Sequence, residues 1–331
     1  MALETSSKIR LHIGKHDGIC TIFPEASDTS WKVGEITPLT HAAARFATSA
    51  KASGRVYLAA YESGVWRTDD GGQSWRHLDR YPSSYAHSVV AHPADPDIVY
   101  VGSEPAALFC SQDGGLSWEE CKSFREIPES INWSFHGDRH SHIRDLRLAP
   151  HDPHLIYAGI EVGGVVRSKD GGATWMQLNG PDLDVHSLHI CATRPDTIYT
   201  ATAMGPYRSD DGGDGWESIV AGLERKYTVP VVAAPDDHRL VLVGVASNAG
   251  RSGAQAYRST DSGRNWERLN LSTEENMVVV FTWDPLDSNR VYAGTDKGKI
   301  YLSLDRGRSW NEAPVDLGTI AVGAMVALPY A

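Results

Sequence analysis

An eight-residue box that recurs along the chain limits its fold more than any other feature. It reads Ser/Thr-x-Asp-x-Gly-x-Ser/Thr-Trp, with Gly215 and Asn265 as departures at the seventh place. Complete copies occupy residues 68–75, 111–118, 168–175, 209–216, 259–266 and 303–310, and a shortened copy at residues 27–31 ends at Trp31. Each complete box stands between two short β-type runs, which predicts a hairpin with a turn made by Asp and Gly. Because Asp can accept backbone N–H groups within its own turn, the box aspartates are interpreted as structural.

The spacing of the boxes predicts the number of structural units. The tryptophans at positions 31, 75, 118, 175, 216, 266 and 310 are separated by 44, 43, 57, 41, 50 and 44 residues. A period of this length fits four short antiparallel strands, the blade of a β-propeller. Seven tryptophans predict an all-β, seven-bladed propeller that forms a single domain over residues 1–331. The apolar run at residues 319–328 has no box after it, so it is expected to close the ring by joining the N-terminal blade.

The box resembles the Asp-box (BNR) repeat of sialidase-like β-propellers, and the resemblance covers nearly the whole chain. The chain also looks like bacterial BNR-repeat or glycosyl-hydrolase-like proteins of uncertain activity. That resemblance implies the propeller fold. It leaves the reaction open, because Asp-box propellers include glycosidases, sorting receptors and assembly factors. The sialidase Phe/Tyr-Arg-Ile-Pro motif is missing, since residues 124–128 (FREIP) carry an extra residue and lie in another place.

The composition of the chain limits the classes of molecule that it is expected to bind. The formal net charge of −11 at pH 7 disfavours nucleic acid as a partner. The N-terminal residues lack the features of a signal peptide, and no run approaches the length of a membrane span. The four cysteines have no metal-type spacing and are expected to be free thiols. These observations predict a soluble cytoplasmic protein that acts on a small molecule rather than on nucleic acid or a membrane.

Strand alternation separates the loops of a propeller onto two faces. Turns between inner and second strands share a face with the boxes, and the loops between second and third strands lie on the opposite face with the blade crossings. The opposite face carries the sequence variation, so function is expected there. After second strands it should present Glu62, Glu104 and Glu161. At the heads of inner strands it should present His41, Tyr85, His87, His142, Arg144 and His186.

Two insertions belong to the same face. Residues 124–140 lengthen the crossing between blades three and four, and their aromatic content predicts a flap over the axial opening. Its members Trp133, Phe135 and His136 are expected to wall a pocket. A second insertion, at residues 247–254, is rich in glycine and places Arg251 within reach of the same opening.

The first hypothesis for function is an enzyme with a small organic substrate at the axial opening, assisted by a histidine-bound metal. Imidazoles on rigid strands suit zinc, iron, copper or manganese, and carboxylates behind them would orient the rings. The predicted metal ligands are His41, His87, His142 and His186. The catalytic candidates are His87, His142, His186, Glu104 and Glu161. The substrate-binding candidates are Arg144, Tyr85, Trp133, Phe135, His136 and Arg251.

Two alternatives stay open. One is a metal-free, glycosidase-like hydrolase that uses a pair of carboxylates across the opening. The other is a non-catalytic binding or assembly platform, because clusters of titratable residues also form structural networks. A cluster of histidine, glutamate and aromatic residues at one opening favours a small-molecule pocket and therefore an enzyme.

Overall fold

The computed structural model of the chain describes residues 9–24, 30–49, 51–135, 140–271, 275–318 and 321–329. Within these residues seven antiparallel sheets of at least four strands follow one another along the chain. The predicted all-β, seven-bladed propeller is therefore confirmed. The first three residues of the shortened box (27–29) lie outside the described residues.

The strands form the blades in chain order. The first half of the chain contains β1 (Ile9–Lys15), β2 (Gly18–Pro24), β3 (Trp31–Val33) and β4 (Thr37–Pro38) of blade one; β5 (Ala43–Thr48), β6 (Val56–Ala60), β7 (Gly64–Thr68) and β8 (Arg76–His77) of blade two; β9 (Ala86–Ala91), β10 (Val99–Ser103), β11 (Leu108–Ser111) and β12 (Glu119–Glu120) of blade three; and β13 (Ile143–Ala149), β14 (Asp152–Ile160), β15 (Gly164–Ser168) and β16 (Met176–Gln177) of blade four.

Three more blades and the closing strand complete the ring. They are β17 (Val185–Ile190), β18 (Ile198–Thr202), β19 (Gly205–Ser209) and β20 (Glu217–Ser218) of blade five; β21 (Tyr227–Ala234), β22 (Asp237–Ala246), β23 (Gln255–Ser259) and β24 (Glu267–Arg268) of blade six; β25 (Val278–Trp283), β26 (Val291–Thr295), β27 (Ile300–Ser303) and β28 (Asn311–Glu312) of blade seven; and β29 (Val322–Pro329).

The C-terminal strand closes the ring as the sequence predicts. Strand β29 pairs antiparallel with β1, from Ile9 opposite Pro329 to Lys15 opposite Val322, and becomes the inner strand of blade one. Both ends of the chain thus share one sheet, which leaves the inner edge of β1 paired. An unpaired edge there would expose a row of backbone donors and acceptors.

The boxes hold the turns between third and outer strands. In the fourth-blade box, Ser168 Oγ donates to Asp170 Oδ1 at 2.8 Å, and Asp170 Oδ2 accepts from Thr174 Oγ1 at 2.6 Å. The N–H of Gly172 donates to Ser168 Oγ at 2.8 Å, and Gly172 has a φ of 92° that suits glycine. Hydrogen bonds from Thr174, and then from Ser168, lower the pKa of Asp170 to about 2. The box aspartate therefore serves its own turn.

A bulge near the start of every inner strand shapes the axial opening. At each of these places the pairing register between the inner strand and the next strand of the blade shifts. At least one residue of the inner strand is therefore left without a partner on that next strand. A bulge bends its strand and redirects a side chain. The skipped residues, which we call the bulge residues, are Ala44, His87, Arg144, His186, Val229 with Pro230, Val279 and Gly323.

Gly323 shows how closely the inner strands approach. A Cβ atom on this residue would lie 2.1 Å from the carbonyl oxygen of Ala43 in blade two, and backbone cannot move away as a side chain can. We expect Gly323→Ala to lower the free energy of unfolding by about 3 kcal/mol, the usual scale of overpacking. Urea unfolding measures the change. Gly250→Ala is the control, because its Cβ would meet only the Asn248 side chain at 3.1 Å and should cost less than about 0.5 kcal/mol. Equal effects would contradict the closure geometry.

Two further features concern the chain as a whole. The four cysteines are free, as expected. In the described part of the chain, no helix has the length and hydropathy needed to cross a membrane.

Candidate functional site

A pocket of about 330 Å³ lies where the inner strands begin. Its wall includes bulge residues of six blades, so it follows the axis of the ring on the face away from the boxes. These six are Ala44, His87, Arg144, Val229, Val279 and Gly323. The seventh bulge residue, His186, is fully buried behind this wall.

The pocket has a polar side and an apolar side because its blades differ at the bulge. Blades three and four contribute His87 and Arg144, whereas blades six and seven contribute Val229 and Val279. Other cationic or aromatic groups in the wall are His16, His41, Arg45, Tyr61 and Arg251. This composition suits a small organic molecule with one anionic end and one apolar end.

Glu104 fixes the orientation of the His87 ring. Nε2 of His87 lies 3.0 Å from Oε2 of Glu104, and both side chains are 8 % exposed. An ionised carboxylate only accepts hydrogen bonds, so Nε2 carries the proton and Nδ1 keeps a lone pair. Burial lowers the pKa of His87 to about 4, against the opposing effect of Glu104. The ring is therefore neutral at pH 7 and can accept a proton.

A second carboxylate continues the network toward blade four. The fully buried ring of His142 stacks on His87 with centroids 3.8 Å apart, and its Nε2 lies 3.3 Å from Glu161 Oε2. Nη1 of Arg144 lies 2.7 Å from the same oxygen. Burial alone would raise the pKa of Glu161, but Arg144 and His142 hold that pKa well below its usual range. Glu161 is thus an anion that positions Arg144 beside the pocket.

The network ends at blade five. Nδ1 of His186 lies 2.6 Å from the carbonyl oxygen of Thr228, and its Nε2 lies 3.5 Å from Asp184 Oδ1. The structure thus brings together His87, His142, His186, Glu104, Glu161 and Arg144 from the predicted set.

The four predicted metal ligands do not meet at one point. Among the described residues, two groups place three ligand atoms within 4.8 Å of one another, and His41 belongs to neither. His41 lies across the opening, where its Nε2 is 3.6 Å from the half-exposed Glu62. The reason is the backbone register. The N–H groups of Tyr61, Glu104 and Glu161 donate to the carbonyl oxygens of residues 42, 85 and 142, respectively. Tyr61 therefore takes the place in blade two that the two glutamates take in the next blades.

The described part of the insert between blades three and four, up to residue 135, packs partly between the two blades. It contains two 3₁₀ helices, Lys122–Glu126 and Pro128–Asn132, and buries Phe124 and Ile127 in the core between the two blades. Trp133 packs on Phe124 and donates to Gln177 Oε1 at 3.0 Å. The expectation that Trp133 walls the axial pocket is therefore corrected, because its indole belongs to this core.

The remaining predicted wall residues have different places. Phe135 contacts the His142 ring edge-on at 5.5 Å, and Tyr85, which is 38 % exposed, contacts Tyr61 at the rim. Arg251 lines the pocket and lies 3.7 Å from Asp296. His136 lies outside the described residues.

Among the polar and aromatic residues of the pocket wall, sequence patterns missed His16, Arg45 and Tyr61. Tyr61 was hidden by the alignment of Glu62 with Glu104, and its ring contacts His87 at 4.9 Å. Arg45 follows the bulge of β5, and its Nη2 donates to the carbonyl oxygen of His186 in blade five at 3.1 Å. Counting from the box of blade two, rather than from His41, would have placed Arg45 on the inner strand.

The fold and the site define a seven-bladed propeller with a pocket at the axis whose wall contains arginine and histidine side chains. The sequence is similar to an oligoxyloglucan-reducing end-specific xyloglucanase of Emericella nidulans, with 19 % identity over 288 residues that cover 80 % of this chain and 32 % of the relative. It is also similar to the photosystem II assembly lipoprotein Ycf48 of a Synechococcus species, with 21 % identity over 92 % of this chain and 85 % of the relative.

Two further comparisons concern fold and family. The structure of a GH74 xyloglucanase from Xanthomonas campestris superposes with a TM-score of 0.70 at 16 % identity, over 98 % of this chain and 53 % of that one. A family model described as Sortilin-Vps10 (sortilin, neurotensin receptor 3) matches residues 254–325. The chain spans about a third of the length of the xyloglucanase relatives.

Proposed function

We propose that this chain is a hydrolase-type propeller enzyme that takes a small organic anion into the axial pocket. The observation that carries the proposal is that His87 lies in the pocket wall beside the guanidinium of Arg144, with its ring hydrogen-bonded to the buried Glu104 behind the wall. Similarity to xyloglucanases supports hydrolytic chemistry. Because this chain covers only part of those relatives, their polysaccharide substrate is not carried over.

His87 is the proton-transfer group in this proposal. Its Nδ1 takes a proton from a water molecule whose oxygen attacks the substrate, and the same proton then goes to the leaving oxygen. Glu104 is the positioning residue, since it sets the tautomer and stabilises the imidazolium that forms. A pKa of about 4 makes His87 a weak base in the free protein. A bound anion offsets the charge of Arg144, which is one cause of the low pKa, and so strengthens the base.

The ionisation and position of the carboxylates favour proton transfer by His87 over a metal-free glycosidase mechanism. Sugar hydrolysis by paired carboxylates needs one of them protonated as an acid. Glu161 is held ionised by Arg144 and His142, and neither Glu104 nor Glu161 belongs to the pocket wall. A mechanism through the imidazole uses the groups that do line the pocket.

Matched substrates test the proposal. A carboxylate-bearing aryl ester is compared with a neutral aryl ester, and an aryl glucuronide with an aryl glucoside. We expect the charged member of at least one pair to be hydrolysed about ten-fold faster or more, as one charged hydrogen bond allows. Absence of turnover, or equal rates within both pairs, would overturn the proposal.

Arg144→Gln is expected to raise KM for the charged substrate by about 10- to 100-fold, with little effect on the neutral one. The lost interaction is an ion pair with the substrate anion at a site where Arg144 is 28 % exposed. Steady-state kinetics measures the change. Arg147→Gln is the matched control, since Arg147 lies on the same strand but lines a neighbouring cavity and not the wall that contains Arg144. If both variants weaken binding equally, the anion site lies elsewhere.

A binding platform is the second candidate. Similarity to Ycf48 covers 92 % of this chain and 85 % of that protein, so a single propeller of this length can serve assembly. A stable one-to-one complex with a protein segment, together with no turnover of either substrate pair, would favour this candidate.

A further inference from the structure

Three polar side chains meet behind the pocket wall, between blades four and five. Glu161 follows β14, while Asp184 and His186 flank the start of β17. One ligand atom from each lies within 4.8 Å of the other two. Glu161 is 7 % exposed and His186 is fully buried, so this cluster is part of the interior.

The hydrogen bond of His186 determines which nitrogen is free. A carbonyl oxygen only accepts, so the 2.6 Å contact with Thr228 places the proton on Nδ1. In the neutral ring, Nε2 then presents a lone pair toward Asp184 Oδ1 at 3.5 Å. Both atoms are buried, and neither has a hydrogen-bond partner among the described residues. Two electron-rich atoms that face each other in the interior require a positive group between them.

We propose that Glu161, Asp184 and His186 bind one divalent transition-metal ion. One imidazole with two carboxylates suits Zn²⁺ or Mn²⁺. Metal-binding histidines characteristically hold their other N–H on a carbonyl or carboxylate, and Thr228 supplies this contact. Asp184 is 30 % exposed, which gives the ion a path from solvent.

The neighbouring group His87–Glu104–His142 is less suited to an ion. Imidazole lone pairs lie in the ring plane, and these two rings stack 3.8 Å apart at an interplanar angle of 24°. Near-parallel stacked rings cannot both direct a lone pair at one ion about 2 Å away. Nε2 of His87 is also bonded to Glu104. The metal site thus uses one of the four histidines expected from the sequence.

Zinc titration of the full chain tests the site. Protein treated with a chelator is titrated with Zn²⁺ by calorimetry, and bound metal is counted by elemental analysis. We expect one Zn²⁺ per chain in the wild-type protein. In His186→Ala and Asp184→Asn, we expect the affinity for Zn²⁺ to fall by at least about 100-fold. Asp184→Asn keeps the shape of a partly exposed side chain, so it remains informative if His186→Ala folds poorly.

His41→Ala is the discriminating control. The four-histidine arrangement requires it to lose metal, whereas the proposed site requires unchanged affinity. Absence of stoichiometric uptake, or equal uptake in all three variants, would overturn the site. So would an Nε2–H signal of His186 in nitrogen-edited NMR that persists with Zn²⁺ present, because a proton would then hold the place of the ion. None of these readouts uses turnover, so they stand apart from the hydrolase proposal.

Discussion

His87→Gln is expected to lower kcat for the charged aryl substrate by about 100- to 10,000-fold, while KM changes little. The variant removes the proton acceptor, and a positioned general base contributes roughly this range. Arg144 and its partner Glu161 remain, so ground-state binding of the anion is kept. Steady-state kinetics under substrate saturation gives kcat directly.

A matched histidine–carboxylate pair outside the axial pocket provides the control. His77 Nδ1 lies 2.6 Å from Asp79, and both side chains are exposed. His77→Gln should therefore leave kcat within about two-fold, since surface substitutions away from special features have small effects. A His87→Gln enzyme that keeps more than a third of the original kcat would remove His87 from the mechanism.

The pH profile separates positioning by Glu104 from a merely structural role. In the free enzyme, kcat/KM should fall as pH drops through about 4, the pKa of His87. The hydrogen bond that Glu104 accepts from His87 raises that pKa, so Glu104→Gln should move the acid limb to lower pH and also reduce kcat. A loss of activity with an unmoved acid limb would show that Glu104 acts only through folding.

The ring could be predicted from sequence because its signals are local. Each box specifies its own turn through contacts such as Ser168 to Asp170, and the number of boxes sets the number of blades. Closure of the ring could also be predicted, since the apolar run that becomes β29 is not followed by a box and the N-terminal blade lacked an inner strand. These features depend on neighbours within a few residues or on repeat counting.

The site could be predicted only in part, because bulges interrupt the period-two pattern that places side chains. His87, Arg144 and His186 share the bulge position, whereas His142 precedes the bulge residue of blade four by two positions and is fully buried. Sequence alignment put all three histidines at one rim. Nothing in residue order shows that His142 and His186 are buried or that Tyr61 replaces a glutamate.

The protein is expected to lose stability steeply as pH falls from 6.5 to 4. Burial lowers the pKa of His12 to about 3, and that of His87 to about 4, from an ordinary value of 6.5. Between these pKa values and 6.5, the histidines bind protons in the unfolded chain but not in the folded chain, so acid favours unfolding. Each histidine contributes about 1.4 kcal/mol per pH unit, and the two together about 5 kcal/mol between pH 6.5 and 4.5.

His12 allows a clean test because it lies outside the pocket. Its ring is fully buried in blade one, with Nδ1 3.0 Å from Thr21 Oγ1 and no hydrogen bond to Nε2 among the described residues. Protonation would therefore bury a charge with an unsatisfied donor, which explains the low pKa.

Asn at this position keeps a polar partner for Thr21 and cannot titrate. Urea unfolding at several pH values should show a slope smaller by about 1.4 kcal/mol per pH unit in His12→Asn below pH 6.5, and an unchanged slope above it. If wild type and His12→Asn show the same slope between pH 6 and 4.5, then His12 must already accept a proton in the folded protein, and the blade-one core must admit water to its Nε2.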